Sequence, residues 1–288
     1  MTNPYLLDLP AVVSFSGGRT SGFMLRQILD AHGGQPEGLH ICFQNTGLEH
    51  AGTYAFVERV AKEWDVDIVW LEYGLNDKNR PRYQVVTPAT ASRDGTPFDT
   101  MIAKKSMLSH PKMRLCTANL KMLVLEQYMS VQVRGEVWVN ASGLRADEPK
   151  RALDALDKNS PDNKSHNPMI EHEVPLYRAG VTTADVAAFW AASPFDLDLP
   201  LPGNLAGNCV GCYLKGRPLL ELLMVEMPEY FDWWVDAERR IKTKAEAWAT
   251  FRSDRPSYAA MMKTAKAQGQ MFPRDIDPED TIPCMCTD

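Results

Sequence analysis

The sequence predicts an α/β fold: an open parallel sheet with helices on both faces, followed by a mainly helical region that carries cysteines. Three observations predict it. Strand-like and helix-like segments alternate at short spacing through the first half of the chain. A Gly-rich turn separates the first strand from the first helix, and helical patterns rich in Trp, Tyr and Met dominate the last third. With 288 residues, of which 44% are hydrophobic, the chain is long enough for one large domain with an appendage.

The first elements follow the pattern of βαβ units. "AVVSFS" (11–16) predicts a strand that leads into a helix over 20–32. "LHICFQ" (39–44) predicts a second strand, followed by a helix over 53–64, and "DIVWLEY" (67–73) predicts a third strand. Because such units join parallel strands, we expect an open parallel sheet.

The next segments complete the predicted sheet. Residues 75–110 carry Pro, Asp, Asn, Arg and Ser without a clear period, which predicts a long loop or insertion. Helical spacing resumes over 116–133, and "EVWVNAS" (136–142) predicts the last strand. We therefore assign residues 1–152 to the α/β domain and residues 153–288 to a C-terminal helical, cysteine-bearing region packed on it.

The C-terminal region is predicted to begin with an exposed excursion, because residues 151–167 are polar and turn-rich. Thr182, with Asp185 three residues later, predicts the start of a helix through "VTTADVAAFWAAS". The aromatic residues near 230–251 are expected to pack a core rather than to stack nucleic-acid bases. Further helices are predicted over 218–226, 230–250 and 256–268.

Charge and hydropathy favour a small-molecule ligand. The formal net charge is −6 and the pI is about 5.6, which argues against a globally basic nucleic-acid-binding surface. The segment "MTNPYLLDLP" has neither a positive n-region nor a long apolar core, and no run approaches the roughly 18 apolar residues of a membrane helix. We therefore expect a cytoplasmic protein without a membrane partner.

The Gly-rich turn has the composition of an anion site. In "SFSGGRTSG" (14–22), Gly17 and Gly18 permit a close backbone approach, Ser16 and Ser21 carry hydroxyls, and Arg19 can neutralise a phosphate. The spacing is neither that of a Walker A loop nor that of a dinucleotide loop. A tight strand-to-helix turn without a ligand is the alternative interpretation.

Four motifs in order carry a family resemblance. The strand-S-G-G-x-x-S-helix unit resembles the PP-loop of adenine-nucleotide alpha-hydrolases. "FQNTGLEHAGTYAFV", "RLCTANLKMLVLE" and "SGLRADEPKRA" resemble signatures of the phosphoadenosine phosphosulfate (PAPS) reductase family. This resemblance implies a Rossmann-like, adenine nucleotide alpha-hydrolase-like sheet, an adenine nucleotide as ligand, and sulfur chemistry.

The resemblance also implies the residues of the site. Arg145 and Arg151 match family positions at the phosphate or sulfate end, where a guanidinium suits the anion geometry; ordinary surface arginines are the alternative. Arg19-Thr20 stands where the common PP-loop has Lys-Asp. Thr53 could either cap a helix or contact the ligand. The implied nucleotide-binding set is Ser14, Ser16, Gly17, Gly18, Arg19, Thr20, Ser21, Thr46, Glu49, Lys121 and Gly143.

The cysteines predict a metal centre. Cys209-Val-Gly-Cys212 lies in a Gly-rich turn, and Cys116 begins a predicted helix, where the dipole favours a thiolate. By the resemblance, a [4Fe-4S] cluster on Cys116, Cys209, Cys212 and a tail cysteine, Cys284, is expected; zinc and no metal are the alternatives. The other tail cysteine, Cys286, is then the nucleophile, although the two tail residues are interchangeable in this prediction.

Three functions remain open at this point. The first is thiol-dependent reduction of PAPS or adenylyl sulfate (APS), with a thioredoxin-like reductant as partner. The second is an ATP pyrophosphatase, using Mg²⁺, that adenylates an acceptor for sulfur transfer, and only here is nucleic acid an expected partner. The third is a non-catalytic nucleotide- or cluster-binding protein. The six histidines show no i, i+4 pair or triad-like arrangement and are interpreted as structural or surface residues.

Overall fold

The structure, a computed structural model, describes residues 3–201, 205–241 and 249–268. Within these residues a six-stranded sheet has the order β4-β3-β2-β1-β5-β6. The predicted α/β class is confirmed. The strands are β1 Ala11–Ser14, β2 Leu39–Gln44, β3 Ile68–Leu75, β4 Pro81–Val86, β5 Trp138–Ala141 and β6 Ile170–Glu173.

The sheet is mixed rather than wholly parallel. β1, β2, β3, β5 and β6 pair in parallel, whereas β4 pairs antiparallel to β3. The reason is the short turn between β3 and β4, in which Asn76 Oδ1 accepts hydrogen bonds from the backbone N–H groups of Lys78 and Arg80. A turn this short can join only antiparallel strands. The prediction of a long loop over 75–110 is therefore wrong, because this segment contains β4 and a helix.

Helices cover both faces of the sheet. Their bounds are α1 Arg19–His32, α2 Ala51–Glu63, α3 Thr96–Lys105, a π-helix Cys116–Leu123, α4 Val124–Gln132, α5 Pro149–Leu156, α6 Pro175–Arg178, α7 Thr183–Ala192, α8 Arg217–Glu226, α9 Asp232–Arg240 and α10 Tyr258–Gln268. α1, α2 and α7 share one core with Val13 and Ile41 of the sheet. α3, the π-helix, α4 and α8 to α10 share the other core with Val12 and Cys42. This division follows the strand period of two.

The segment after β5 differs from its prediction. Residues 151–167 were expected to form an exposed excursion, but α5 occupies their beginning and buries Ala152 and Ala155. The sheet is also not complete at residue 142, because β6 pairs with β5 at Trp138↔Ile170 and Asn140↔His172. β6 thus lies beyond the predicted boundary at residue 152.

The C-terminal helices α8 to α10 complete the core that they share with the sheet. Trp234 is 1% exposed, while Phe231 and Phe251 are wholly buried, which confirms that these aromatic residues serve packing. The helix start predicted at Thr182 is also confirmed, since Thr182 and Asp185 form a reciprocal capping box. In the described ranges, every helix is too short or too polar to cross a membrane.

Candidate functional site

A cleft opens at the carboxyl ends of the strands, where the strand order reverses between β1 and β5. Ligands of open α/β sheets bind at such a switch point. Both strands and helices line the cleft. The sheet lines it with Ser14, Gln44 and Asn140, and the helices line it with Lys121 and Arg151.

The Ser16–Ser21 loop closes on itself beside this cleft. Ser21 Oγ accepts a hydrogen bond from the Ser16 amide at 3.2 Å and donates to the Gly18 carbonyl at 3.1 Å. Gly17 has φ +78°, and a Cβ there would lie 2.8 Å from Thr53 Cγ2. Gly18 immediately precedes α1 and has an extended backbone, with φ −99°. The loop therefore leads directly into the N-terminus of α1, which is the electrostatic position suited to an anion.

The charged residues predicted for the phosphates have protein partners. Arg19 forms two hydrogen bonds with Asp196, at 2.8 and 2.7 Å. Arg145 donates to Thr20 Oγ1 at 2.9 Å and pairs with Asp147 and Glu148.

Two further residues of the predicted site, Arg151 and Gly143, lie at or next to the cleft lining. Arg151 pairs with Glu148 and lines the cleft. Gly143 lies between Ser142 and Leu144, and both of these residues line it. The structure therefore places Arg151 and Gly143 at the cleft, and Arg19 and Arg145 beside the loop.

The second signature forms a tight loop after β2. Thr46 Oγ1 donates to Glu49 Oε1 at 2.6 Å, and Tyr54 donates to Glu49 Oε2 at 3.0 Å. Glu49 is 6% exposed and lines the cleft. His50, rather than Thr53, caps α2 by accepting a hydrogen bond from the Gly52 amide. Thr53 Oγ1 is buried and has no hydrogen-bond partner within the described ranges.

The Cys209–Cys212 segment packs against this loop. The Val210 amide donates to the Leu48 carbonyl at 3.1 Å, and Cys209 Sγ lies 3.2 Å from Thr46 Oγ1. Cys116 Sγ lies 3.4 Å from the Tyr213 hydroxyl. Burial raises the pKa of the Cys209 and Cys212 thiols, and the nearby Lys121 ammonium opposes the rise only in part. The fold thus brings the three cysteines to one region.

The structure overturns the prediction of a metal centre. Over residues 3–201, 205–241 and 249–268, no group of three or more His, Cys, Asp or Glu side chains could hold a metal ion. The thiols of Cys116 and Cys209 contact Tyr213 and Thr46 instead. The [4Fe-4S] cluster, the zinc alternative and the Mg²⁺ site are therefore wrong predictions. Cys284 and Cys286 lie outside the described residues.

Two buried polar side chains on the cleft floor, Asn140 and His172, were missed from the sequence, whereas Ser14 beside them belongs to the predicted nucleotide-binding set. Ser14, Asn140 and His172 lie on β1, β5 and β6, and all three line the cleft. Ser14 Oγ donates to Asn140 Oδ1 at 3.0 Å. Burial and the neighbouring Lys158 lower the pKa of His172 to about 4, so this imidazole is neutral at pH 7. The sequence signal was a polar residue near the carboxyl end of an apolar strand, in "VWVNAS" and in "IEHE".

Comparison with known proteins shows a similarity to a phage protein. No protein-family model matches the sequence. The chain is 32% identical over 216 residues to the uncharacterized nin region protein ORF290 of Escherichia phage lambda, which covers 73% of this chain and 68% of the relative. The protein therefore belongs to the family of this phage lambda protein.

Proposed function

We propose that this protein is an enzyme of the PAPS reductase type, which binds an adenine nucleotide in the cleft and reduces a sulfonucleotide with a thiol. The observation that carries the proposal is the Ser16–Ser21 loop, which leads from β1 into the N-terminus of α1 beside the cleft. The three further sequence motifs, which follow this loop in the order of the resembled family, add support.

The cleft walls supply the charges that such a ligand needs. Lys121 and Arg151 line the cleft from the π-helix and from α5. A phosphosulfate group carries negative charge on both its phosphate and its sulfonate. The N-terminus of α1 suits the phosphate, and a guanidinium can donate two hydrogen bonds to oxygens of the sulfonate. We propose that Lys121 and Arg151 neutralise the negative charge that develops on the leaving phosphate.

The reaction needs one thiolate from this chain. Its sulfur attacks the sulfonate sulfur, the bond from that sulfur to the bridging oxygen breaks, and the nucleotide phosphate leaves with the electron pair. A dithiol of the thioredoxin class then attacks the resulting cysteine thiosulfonate. Sulfite departs with the electron pair of the S–S bond, and the dithiol ends as a disulfide. Because burial raises the pKa of Cys209 and Cys212, we assign the attack to Cys284 or Cys286.

A second candidate is ATP-dependent adenylation of an acceptor before sulfur transfer. It is favoured by the S-G-G-x-x-S spacing, which keeps the loop amides and the N-terminus of α1 available to a pyrophosphate. The two reactions differ in their products, because only the second releases pyrophosphate.

The test combines binding with product analysis. Calorimetry with adenosine 5′-monophosphate measures nucleotide binding. In a separate assay, the protein is incubated with a thioredoxin-type reductant and with adenylyl sulfate, its 3′-phosphate or ATP. Sulfite and pyrophosphate are then measured as the products. Gly18→Val adds a side chain at the loop in a backbone conformation that valine adopts, and it should weaken nucleotide binding at least tenfold. Gly216→Val, at the equivalent position before α8, is the matched control.

Each result has a clear reading. Sulfite release supports the first reaction, and pyrophosphate release transfers the proposal to the second. Nucleotide binding without either product leaves a non-catalytic nucleotide-binding protein. Nucleotide affinity that is equal in wild type and Gly18→Val removes the loop from the site and overturns the proposal.

A further inference from the structure

The floor of the cleft contains a polar pair where the strand pattern calls for core residues. Asn140 and His172 are directly opposite each other in the β5–β6 register, so their Cα atoms are about 4.8 Å apart. Two residues earlier on each strand, Trp138 and Ile170 belong to the hydrophobic core of the same face. Asn140 is 3% exposed and His172 is 6% exposed. Two polar side chains have thus replaced apolar packing at the inner end of the cleft.

Asn140 and His172 line the cleft and have polar atoms that their own hydrogen bonds do not use. Ser14 Oγ donates to Asn140 Oδ1, which leaves the Nδ2 amide hydrogens for another partner. Among the residues that the structure describes, neither Asn140 Nδ2 nor a ring nitrogen of His172 has a hydrogen-bond partner. On the facing wall, the buried Thr117 Oγ1 is also without a partner in this part of the chain. Buried polar groups in native proteins are normally satisfied, so Thr117 Oγ1 indicates a ligand in the cleft, and Asn140 and His172 offer it further polar partners.

The charges around the pair determine the class of ligand. Lys158 lines the same end of the cleft, and its charge contributes to the lowered pKa of His172. Two carboxylates lie nearby: Asp154 forms an ion pair with Lys150 at 2.8 Å, and Glu126 interacts with Lys158. An amide donor, a neutral imidazole and an ammonium therefore converge on one space. This combination suits an acceptor-rich anionic group.

We propose that Asn140, His172 and Lys158 form a subsite for an oxyanion: a phosphoryl, sulfonate or carboxylate group. This subsite is distinct from the phosphate position at the Ser16–Ser21 loop, and only its connection to a nucleotide rests on the proposed function. The oxyanion comes from one of two sources. It is either a second acidic group of the nucleotide or a separate small acid that binds beside it.

The experiment compares three probes by calorimetry on the full-length protein: adenosine 5′-monophosphate, adenosine 3′,5′-bisphosphate and inorganic sulfate. Asn140→Asp keeps the size of the side chain and its bond from Ser14, but replaces the amide donor with a carboxylate. Lys158→Gln removes the ammonium and serves as the second variant where Asn140→Asp loses its circular dichroism signal. Asn3→Asp adds the same charge at an exposed position and is the matched control.

The expected result is a tenfold or greater effect confined to the oxyanion. If the bisphosphate binds at least tenfold more tightly than the monophosphate, and Asn140→Asp removes that gain, the nucleotide supplies the group. If sulfate binds to the monophosphate-saturated protein and Asn140→Asp weakens it tenfold, a separate acid supplies it. Asn3→Asp should leave both values within about twofold of wild type.

Two further outcomes separate this inference from the proposed function. Sulfate binding that is sensitive to Asn140→Asp, in a protein that does not bind the monophosphate, supports the subsite and contradicts the nucleotide proposal. Monophosphate binding together with bisphosphate and sulfate affinities that neither variant changes overturns the subsite and leaves the nucleotide proposal intact. Failure of all three probes to bind overturns both.

Discussion

At the scale of single residues, His172 shows how burial and one neighbouring charge determine a protonation state. Its side chain is 6% exposed, and Lys158 adds to the effect of burial in lowering its pKa to about 4, from an ordinary value of 6.5. The unfolded chain therefore binds a proton at a higher pH than the folded chain does. The stability linked to this group is present above pH 6.5 and is lost as the pH falls towards 4.

We predict that acidification from pH 7 to pH 4 reduces the free energy of unfolding through His172 by up to about 3 kcal/mol, at 1.36 kcal/mol per pKa unit. His172→Asn should make this pH dependence shallower, because asparagine does not titrate. Urea unfolding across this pH range, in wild type and variant, measures the difference. An unchanged slope in His172→Asn would contradict the prediction.

Gly17 and Gly18 are adjacent but have different roles. Gly17 has φ +78°, and a Cβ there would lie 2.8 Å from Thr53 Cγ2 and 3.0 Å from Val57 Cγ2. We predict that Gly17→Ala lowers the free energy of unfolding by about 2–4 kcal/mol, from left-handed backbone strain together with overpacking. Chemical denaturation measures this loss. Gly18→Val should remain within about 1 kcal/mol of wild type, since its backbone is extended; equal losses in the two variants would refute the distinction.

At the scale of elements, a buried lysine organises the loop that carries Cys209 and Cys212. Lys215 is 8% exposed, and its ammonium donates to the carbonyls of Leu205, Gly207 and Val210 at 3.0, 3.0 and 3.1 Å. The Tyr258 hydroxyl donates to the Gly211 carbonyl from α10 at 2.5 Å. The loop is therefore shaped by hydrogen bonds to its own backbone, and α10 holds it in place.

We predict that Lys215→Met costs about 3 kcal/mol or more of stability, because it leaves several buried carbonyl oxygens without a charged donor. Thermal unfolding measures the loss. Lys78→Met, which removes an exposed lysine in the β3–β4 turn, is the control and should change the melting temperature little. A Lys215→Met protein as stable as the control would show that the loop does not depend on the ammonium.

The start of α7 offers a second test at this scale. The Thr182 hydroxyl accepts a hydrogen bond from the Asp185 amide, and the Asp185 carboxylate accepts one from the Thr182 amide. We predict that Thr182→Ala destabilises the protein by about 1 kcal/mol, whereas Thr182→Ser keeps the cap and most of the stability. Denaturation midpoints of the two variants decide the matter, and a serine variant as unstable as the alanine variant would rule out the hydroxyl as the cause.

At the scale of the whole molecule, the C-terminal half completes the sheet and both of its cores. β6 and α7 come after residue 152, as do α8, α9 and α10. Trp190 of α7 packs in the core on the α1 side, and Trp234 of α9 packs in the core on the other side. A chain that ends at residue 152 would expose β5 as an edge and leave both cores incomplete.

We predict that a fragment of residues 1–152 shows no cooperative thermal transition, whereas the full chain shows one. Circular dichroism during heating, with tryptophan fluorescence as a second probe, makes the comparison. A cooperative transition in the fragment would show that the α/β part folds by itself and that the boundary at residue 152 separates two independent units.

The local sequence pattern was sufficient to predict the helices and strands that bury one face or their whole length. The apolar run "LHICFQ" predicted β2 at the observed residues, 39–44, and the Thr182–Asp185 signal located the start of α7. In contrast, β4 was taken as loop because an edge strand is only partly buried, with Arg82, Gln84 and Val85 exposed, and shows no apolar run. β6 has four residues, too few to display a period.

The residues of the candidate site likewise divide into those that the sequence predicts and those that only the tertiary structure brings together. The sequence by itself determined the Gly-rich loop, because glycine has strong local preferences, whereas the meeting of Cys116 with Cys209 and Cys212 was expected only from the family resemblance. Only the tertiary structure decided that Cys116 and Cys209 contact Tyr213 and Thr46, and that Asn140 stands opposite His172. The physical reason is that strand register and helix packing pair residues far apart in the chain, and a local pattern contains no information on which side chains will share a buried space.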